Sequence, residues 1–274
     1  MNKPVQQKQE SSGGGMFASL AIVIALVVSI IIYVFVLGNP ANFEDNNNAN
    51  HPVATGIGSI FGLLYKGGVI VPLLLCLLIL VFTFSVERFL TINKAMGNVS
   101  SHTFLAKVRS MLNTNNLDGV VQECDRQKGS LGNVVRSAMK KYREVETEPN
   151  MDKEQKIVAI QKSVEEATEM ELPMLQRNLV IISTIASIGT LVALLGTVIG
   201  MIKAFRALAQ AGSPDSIALS NGISEALINT AFGIGTSALA IIAYNYFTTK
   251  IDSLTFSIDE AGFSIVNTFS QSHK

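Results

Sequence analysis

The chain has 274 residues, of which 48% are hydrophobic and only 15% are charged, against about 25% charged in an ordinary soluble domain. Its 21 basic and 21 acidic residues cancel, so the net charge points neither to nucleic acid nor to an acidic substrate. Two cysteines, three scattered histidines and the lack of common catalytic or phosphate-binding motifs argue against a disulfide framework, a metal site, a cofactor and an enzyme.

Charged residues are concentrated in one part of the chain. Residues 88–177 contain 26 of the 42 charged residues. A helix that crosses a hydrocarbon core of about 30 Å needs about 20 apolar residues. Four stretches have that length: 16–37, 67–86, 179–202 and 222–247. These patterns predict an all-α integral membrane protein with one large water-facing segment.

The first 66 residues precede the second span. Residues 1–15, with three consecutive glycines, are predicted to be a disordered leader. The stretch 16–37 is longer than the apolar region of a signal peptide, about 7–15 residues, so it is predicted to remain as a transmembrane anchor. Residues 38–66 are predicted to form a polar, Asn-rich loop with Lys66 as its single basic residue.

Basic residues set the predicted orientation, because they accumulate on the cytoplasmic side of a membrane. Lys3 and Lys8 precede the first span, and Arg88 begins a basic segment after the second. Lys203 and Arg206 lie on the outer side against this rule, where their long side chains can extend toward water. We therefore predict cytoplasmic termini, outer loops at 38–66 and 203–221, a cytoplasmic helical domain at 87–178 and a cytoplasmic helical tail at 248–274.

The water-facing segments show helical periodicity. A polar helix is predicted at 152–172 after Pro149, and Pro173 is predicted to kink it as it enters the third span. Apolar residues in the cytoplasmic domain recur at helical spacing: Val134, Val135, Ala138, Met139 and Tyr142. The tail carries an amphipathic stripe that predicts a helix packed on a neighbour: Ile251, Leu254, Ile258, Ile265 and Phe269.

Small and hydroxyl-bearing residues mark the third and fourth spans. They recur at spacings of three, four or seven residues, which place them on one face of each helix. Gly196 and Gly200 form a G-x-x-x-G pair that allows close backbone approach. The third span carries Ser183, Ser187, Thr190 and Thr197. The fourth carries Ala226, Thr230, Gly233, Ser237 and Ala240.

These stripes have two interpretations. The residues either pack the helices, with hydroxyls bonded back to the carbonyl four residues earlier, or they line a wet or protein-filled cavity. Thr197 lies about 8 Å and Thr230 about 12 Å from the outer ends of their spans, so we expect them at similar depth. No Asp, Glu or His lies near the middle of a span, so a partner must supply the carboxylate if protons move. Glu225 is either a functional acid or a favourable charge at a helix N-terminus.

Two motifs separated by a short loop carry a family resemblance. They are L-L-G-T-V-I-G at 194–200 and G-I-S-E-A-L-I-N-T-A-F-G at 222–233. The pairs Glu87-Arg88 and Tyr244-Asn245 match as well. Residues 67–250 thereby resemble the ExbB/TolQ/MotA proton-channel family, and its ExbB members most closely.

The resemblance implies a three-span core in the bacterial inner membrane that forms a pentamer around helices of an ExbD-like, single-span partner. That partner supplies a membrane aspartate, and a TonB-like protein passes the energy to outer-membrane transport. The resemblance makes Thr197 and Thr230 pore-lining hydroxyls and Glu225 the acid at the entrance of the fourth span. Lesser pathway candidates are Ser183, Ser187, Thr190 and Ser237, and the expected packing residues are Gly196, Gly200 and Gly233.

Three features depart from the family pattern. Ala238-Leu239-Ala240 stands where the family often has a proline in the fourth span. The first span and its outer loop lie outside the three-span core. The loop after the third span contains Pro214 and no evident ligand motif.

Other functions remain open at this stage. A TolQ-like role in envelope integrity is the main alternative within the family, and a flagellar stator is less favoured because the cytoplasmic domain is modest. A non-conducting membrane scaffold would use the small-residue faces for packing alone. An intramembrane enzyme is disfavoured, since no nucleophile, base and orienting group converge. The lack of extra polar ligands favours protons over sodium.

Overall fold

A computed structural model describes residues 12–48, 50–209 and 216–272. The described residues contain nine α-helices and no β-strand, and four helical segments are long and apolar enough to cross a membrane. The predicted all-α membrane fold is thereby confirmed. The helices are α1 (Ser12–Ile31), α2 (Ile57–Lys66), α3 (Val71–Met96), α4 (Ser101–Asn113), α5 (Leu117–Gln127), α6 (Gly129–Glu146), α7 (Lys153–Gln176), α8 (Leu179–Ala209) and α9 (Ser216–Ser272).

Several helices extend past the predicted spans. Helix α1 begins at Ser12, so residues 12–15 are helical rather than part of a leader, and residues 1–11 lie outside the described residues. Helix α8 continues seven residues beyond the predicted end of its span, which places Lys203 and Arg206 in a helix instead of a loop. The predicted span ended before the first charged residue because a charge is unfavourable in the hydrocarbon core, but the backbone remains helical beyond that residue. Pro214 lies outside the described residues.

The chain divides into two compact units, of which the first comprises residues up to 85 and residues 181–243. In this unit, the predicted loop 38–66 is folded. Six residues after α1 form a π-helical turn, Ile32–Leu37, and Asn42 donates from Nδ2 to the carbonyls of Val36 and Leu37 at 2.7 and 3.0 Å. Tyr33 stacks on Tyr65 with ring centroids 4.8 Å apart. The segment after the first span thus satisfies carbonyls that a helix end leaves without partners.

The second unit comprises residues 86–180 and residues from 244 onward. Its core confirms the predicted helical stripes, since every apolar residue named for α6 and for the tail in α9 is buried. Tyr142 of α6 packs edge-on against Phe269, with ring centroids 4.8 Å apart. Asp152 and Gln155 form a capping box at the start of α7, which explains why this helix begins just after Pro149.

The prediction that a helix kinked at Pro173 continues into the third span is wrong, because the helix ends after Pro173. Pro173 lies inside α7, which ends three residues later at Gln176, and the N–H of Arg177 donates to the Pro173 carbonyl at 3.1 Å. The break falls at Asn178, whose φ is +62°. Asparagine tolerates this left-handed conformation better than most residues, so α7 and α8 are separate helices.

A buried ion pair closes the C-terminus of α7. The side chain of Arg88 is 2% exposed, and its Nη1 donates to the carbonyls of Met174 and Leu175, both at 3.1 Å. Its Nε donates to Glu87 at 2.6 Å, and Glu87 also accepts from Asn178 at 3.2 Å. A guanidinium at a helix C-terminus satisfies unpaired carbonyls and complements the helix dipole. The Glu87-Arg88 pair therefore connects α3 to the C-terminus of α7 within the second unit.

Candidate functional site

Helices α8 and α9 form an antiparallel pair whose contact is made by small residues. A methyl group at Gly200 would lie 2.8 Å from the Ala226 nitrogen and from the Gly222 carbonyl. A methyl group at Gly196 would lie 2.7 Å from the Cβ of Asn229. Such distances leave no room for a side chain, so the glycines set how closely the helices approach. A methyl group at Gly233 would lie 2.8 Å from the Gly189 carbonyl, so this glycine belongs to the same contact.

Thr197 and Thr230 meet across this contact. Their hydroxyl oxygens are 2.5 Å apart, so they lie at the same depth, as their distances from the span ends predicted. The Ala193 carbonyl lies 3.0 Å from the Thr197 hydroxyl, and the Ala226 carbonyl lies 3.1 Å from the Thr230 hydroxyl. Each hydroxyl has one proton, so when one threonine donates to the other, only the accepting threonine donates to its own backbone carbonyl. The pair therefore combines one local backbone bond, typical of a packing residue, with a hydrogen bond between the two helices.

The other candidate hydroxyls separate into two environments. Ser187 and Thr190 are exposed on α8, and Thr190 donates to the Ser187 carbonyl at 2.9 Å. Ser183 lies next to them and is half-buried. Ser237 is buried against Gly189, and its hydroxyl oxygen has no hydrogen-bond partner among the described residues. The structure thus brings Ser237 into the helix contact and leaves Ser187 and Thr190 on the surface of this chain.

Glu225 forms an ion pair with Lys203. The ammonium nitrogen of Lys203 lies 2.6 Å from one carboxylate oxygen of Glu225 and 2.8 Å from the other. The Glu225 side chain is 10% exposed, while that of Lys203 is 48% exposed. Lys203 was expected to lie in an outer loop with its side chain extended toward water. Instead its charge compensates an acid that is nearly enclosed.

Two glycines before α3 and an asparagine in α9 complete the surroundings of Glu225. Gly68, with φ of +76°, packs directly against the carboxylate. Asn229 is fully buried, and its Nδ2 donates to the Gly67 carbonyl at 2.9 Å. Its Oδ1 has no hydrogen-bond partner among the described residues. We call Gly67, Gly68, Lys203, Glu225 and Asn229 the Glu225 cluster.

Most of this cluster was not identified from the sequence, although one signal was present. In an antiparallel pair, moving forward along one helix corresponds to moving back along the other. Contact between Thr197 and Thr230 therefore places Lys203, six residues on, beside Glu225, five residues back. No comparable signal identifies Gly67 and Gly68, because they belong to a distant part of the chain.

The site can compensate charge and relay protons. The described residues contain no group of three or more His, Cys, Asp or Glu side chains that could hold a metal ion. A threonine hydroxyl donates and accepts hydrogen bonds, so the Thr197–Thr230 pair can pass a proton between two groups. It cannot store one at neutral pH. Storage requires a carboxylate, and within this cluster only Glu225 has one.

Several known proteins resemble this chain over part of its length. Residues 126–260 match the model of the MotA/TolQ/ExbB proton channel family. The chain is 30% identical over 121 residues to the Tol-Pal system protein TolQ of Pseudomonas aeruginosa, covering 44% of this chain and 52% of that protein. It is 24% identical over 201 residues to a putative biopolymer transport protein ExbB homolog of Methanothermobacter thermautotrophicus. That match covers 73% of this chain and 67% of that protein.

A third relative is the biopolymer transport protein ExbB of Xanthomonas campestris, which is 31% identical over 94 residues. That match covers 34% of this chain and 37% of the relative. The chain thus matches between about a third and two thirds of the length of these three proteins. Relatives carrying the ExbB name and the TolQ name both occur among the matches.

Proposed function

We propose that this chain, which is similar to the MotA/TolQ/ExbB proton channel family over residues 126–260 and to relatives named TolQ and ExbB, is a member of that family and a subunit of a proton-driven motor in the bacterial inner membrane. The motor is ExbB-like: five copies surround single helices of an ExbD-like partner, and a TonB-like protein carries the energy to outer-membrane transporters. The chain itself is not an enzyme. Both termini lie in the cytoplasm, and residues 38–66 and 203–221 face the periplasm.

The observation that carries this proposal is the contact between Thr197 and Thr230. Two hydroxyls 2.5 Å apart, in spans without a central acid, suit a path along which a proton reaches a carboxylate of another chain. Protonation neutralises the partner's carboxylate and lowers its cost of facing an apolar wall. Cycles of proton gain and loss can then move the partner helices relative to this subunit.

The proposal is tested by removing one hydroxyl at a time. Thr230→Val keeps the shape of the side chain and removes its bond to Thr197, so we expect proton uptake by reconstituted complexes to fall about tenfold, the factor for a hydrogen bond of about 1.5 kcal/mol. Proton uptake is followed with a pH-sensitive dye in vesicles that contain this chain and its co-purified partner.

Thr236→Val is the matched control. Thr236 is buried in the same helix and donates only to the Phe232 carbonyl, at 2.9 Å, so its loss should leave proton uptake near the wild-type level. Normal uptake by Thr230→Val at wild-type abundance would favour the non-conducting scaffold. Native mass spectrometry of the complex, extracted from its own membranes, tests the five copies and the partner with a membrane aspartate.

A TolQ-like role in envelope integrity is the second candidate, and the similarity to the Pseudomonas aeruginosa TolQ protein favours it. The two roles predict different phenotypes when the gene is deleted in its own host. If the chain energises a TonB-like protein, its loss impairs growth that depends on outer-membrane import of scarce nutrients. If it has a TolQ-like role, its loss makes the envelope sensitive to detergent while that import continues.

A further inference from the structure

In the Glu225 cluster, one ammonium group is bound by a carboxylate, and further oxygen atoms lie on neighbouring residues. Both carboxylate oxygens of Glu225 bind the ammonium of Lys203. One helical turn further along α9, the Oδ1 of the fully buried Asn229 has no hydrogen-bond partner among the described residues. The Gly67 carbonyl lies 2.9 Å from Nδ2 of the same side chain. Two elements, α9 and the residues before α3, therefore supply these oxygen atoms, and α8 supplies the ammonium.

Carboxylate, amide and peptide oxygens are ligands for hard cations. In membrane transporters, backbone carbonyls beside interrupted helices coordinate Na⁺, and residues 67–68 are such an interruption before α3. The peptide carbonyl of Gly67 has a second lone pair in addition to the one that accepts from Asn229. Without Lys203, this group of oxygens would suit a small monovalent cation.

Lys203 prevents a cation from binding to the Glu225 carboxylate. Its ammonium is a compact single charge with three donors, and it contacts both carboxylate oxygens at once. Gly68 packs against the carboxylate, so the more exposed side chain of the pair, that of Lys203, lies on the accessible side of Glu225. The Tyr33 hydroxyl of the π-helical turn also interacts with Glu225 electrostatically, and the charged Lys66 is next to Gly67 in the sequence.

We propose that Lys203 is a selectivity-determining residue, a tethered cation that occupies the position of Na⁺ beside Glu225 and leaves the carboxylate accessible only to protons. When Glu225 takes up a proton, an O–H bond forms and one N–H···O bond to Lys203 is released, while Lys203 keeps its own charge. Loss of the proton restores the pair. This inference rests on the proposed function, because it assumes that Glu225 lies on the ion path.

The first test measures cation binding without any transport. Thermal unfolding of the purified full-length protein in detergent is followed in NaCl, KCl and choline chloride at equal ionic strength. For Lys203→Met we expect the Tm to rise with Na⁺ concentration and not with choline, because a ligand that binds only the folded state stabilises it. Wild type should show no Na⁺-specific rise.

Two controls accompany this measurement. Arg206→Met removes a neighbouring exposed cation of the same helix and should behave as wild type. Lys203→Met combined with Glu225→Gln should lose the Na⁺ response. Should Lys203→Met fail to fold, Lys203→Gln, which is also neutral, takes its place. A folded neutral variant without a Na⁺-specific shift, or a wild-type protein that has one, would overturn the inference.

The second test compares ion uptake in vesicles containing the complex. Lys203→Met should gain uptake of radioactive Na⁺ at least about tenfold over wild type, and unchanged selectivity would contradict the inference. If no variant conducts protons, the proposed function fails. The unfolding measurement still decides whether Lys203 excludes Na⁺ from the cluster, so the two failures are distinguishable.

Discussion

Glu225 lies in a nearly enclosed position, where it contacts two other segments of the chain. Lys203 supplies the opposite charge from α8, and Gly68 allows the carboxylate to lie against the backbone before α3. A buried charge is tolerated when it is paired, and it becomes costly when one partner is lost. The position of this acid therefore depends on residues more than 150 positions apart in the sequence.

Gly68→Ala tests the contribution of this backbone contact. Gly68 has φ of +76°, and a methyl group there would collide with the Glu225 carboxylate. Gly56→Ala is the matched control, because Gly56 has φ of +84° with nothing within 4 Å. Both variants place alanine at a positive φ, a sparsely populated conformation that costs about 1–3 kcal/mol, and Gly68→Ala should lose about 1–3 kcal/mol more through overpacking. Equal Tm values for the two variants would contradict the contact.

At the scale of elements, the pair formed by α8 and α9 is determined by glycines. Gly196 and Gly200 of α8 lie directly against Asn229 and Ala226 of α9. Apolar burial contributes little to association between helices in lipid, so close packing and polar contacts carry more of the stability. The Thr197–Thr230 contact exists because these glycines bring the two backbones together.

Gly200→Ala should weaken this helix pair. The new methyl group would lie 2.8 Å from backbone atoms of α9, which cannot rotate away as a side chain can, so we expect a loss of about 1–3 kcal/mol. Gly235→Ala is the control in α9, since nothing lies within 4 Å of that position, and it should be neutral or stabilise by about 0.5–1 kcal/mol. Thermal unfolding in detergent compares the two. Similar effects would mean that the glycines do not set the packing.

At the scale of the whole molecule, the chain contains two compact units that differ in chemistry. The first unit holds the apolar spans with the Glu225 cluster, and the second holds the charged helical domain with the Glu87-Arg88 pair. Each contains one buried, free cysteine: Cys76 in the first and Cys124 in the second. The two thiols can therefore report on the units separately.

Cys124 should become accessible to alkylation at a lower urea concentration than Cys76. Urea acts in proportion to the surface exposed on unfolding, and the second unit presents charged helices to water while Cys76 lies in a span held by detergent. Peptide-level mass spectrometry after a brief alkylation pulse measures both thiols in one sample. A single shared midpoint would mean that the units unfold together.

Burial also raises the pKa of the Cys124 thiol from 9.0 to about 12. Between these values an unfolded chain loses the thiol proton and the folded unit keeps it. The free energy of unfolding of the second unit should consequently fall as the pH rises from about 9 to about 12. In Cys124→Ala, this part of the pH dependence should disappear.

Local patterns in the sequence determined the helices and their buried faces. Runs of about 20 apolar residues predicted the four spans, and the spacing of residues such as Tyr142 and Phe269 predicted which faces are buried. Both depend on periodicity within one helix, which is a local property. The common depth of Thr197 and Thr230 followed from counting residues along two neighbouring helices.

Tertiary structure alone decided which residues surround Glu225. The sequence analysis placed Lys203 in a loop with its side chain toward water, because its partner is supplied by another helix. Gly68 carried no signal because its role depends on a side chain 157 positions away. Likewise, the predicted third span ended before Lys203, the first charged residue. In the structure Lys203 lies within α8 and is paired with Glu225. Periodicity describes one helix at a time, whereas charge compensation and close packing depend on what another segment places opposite.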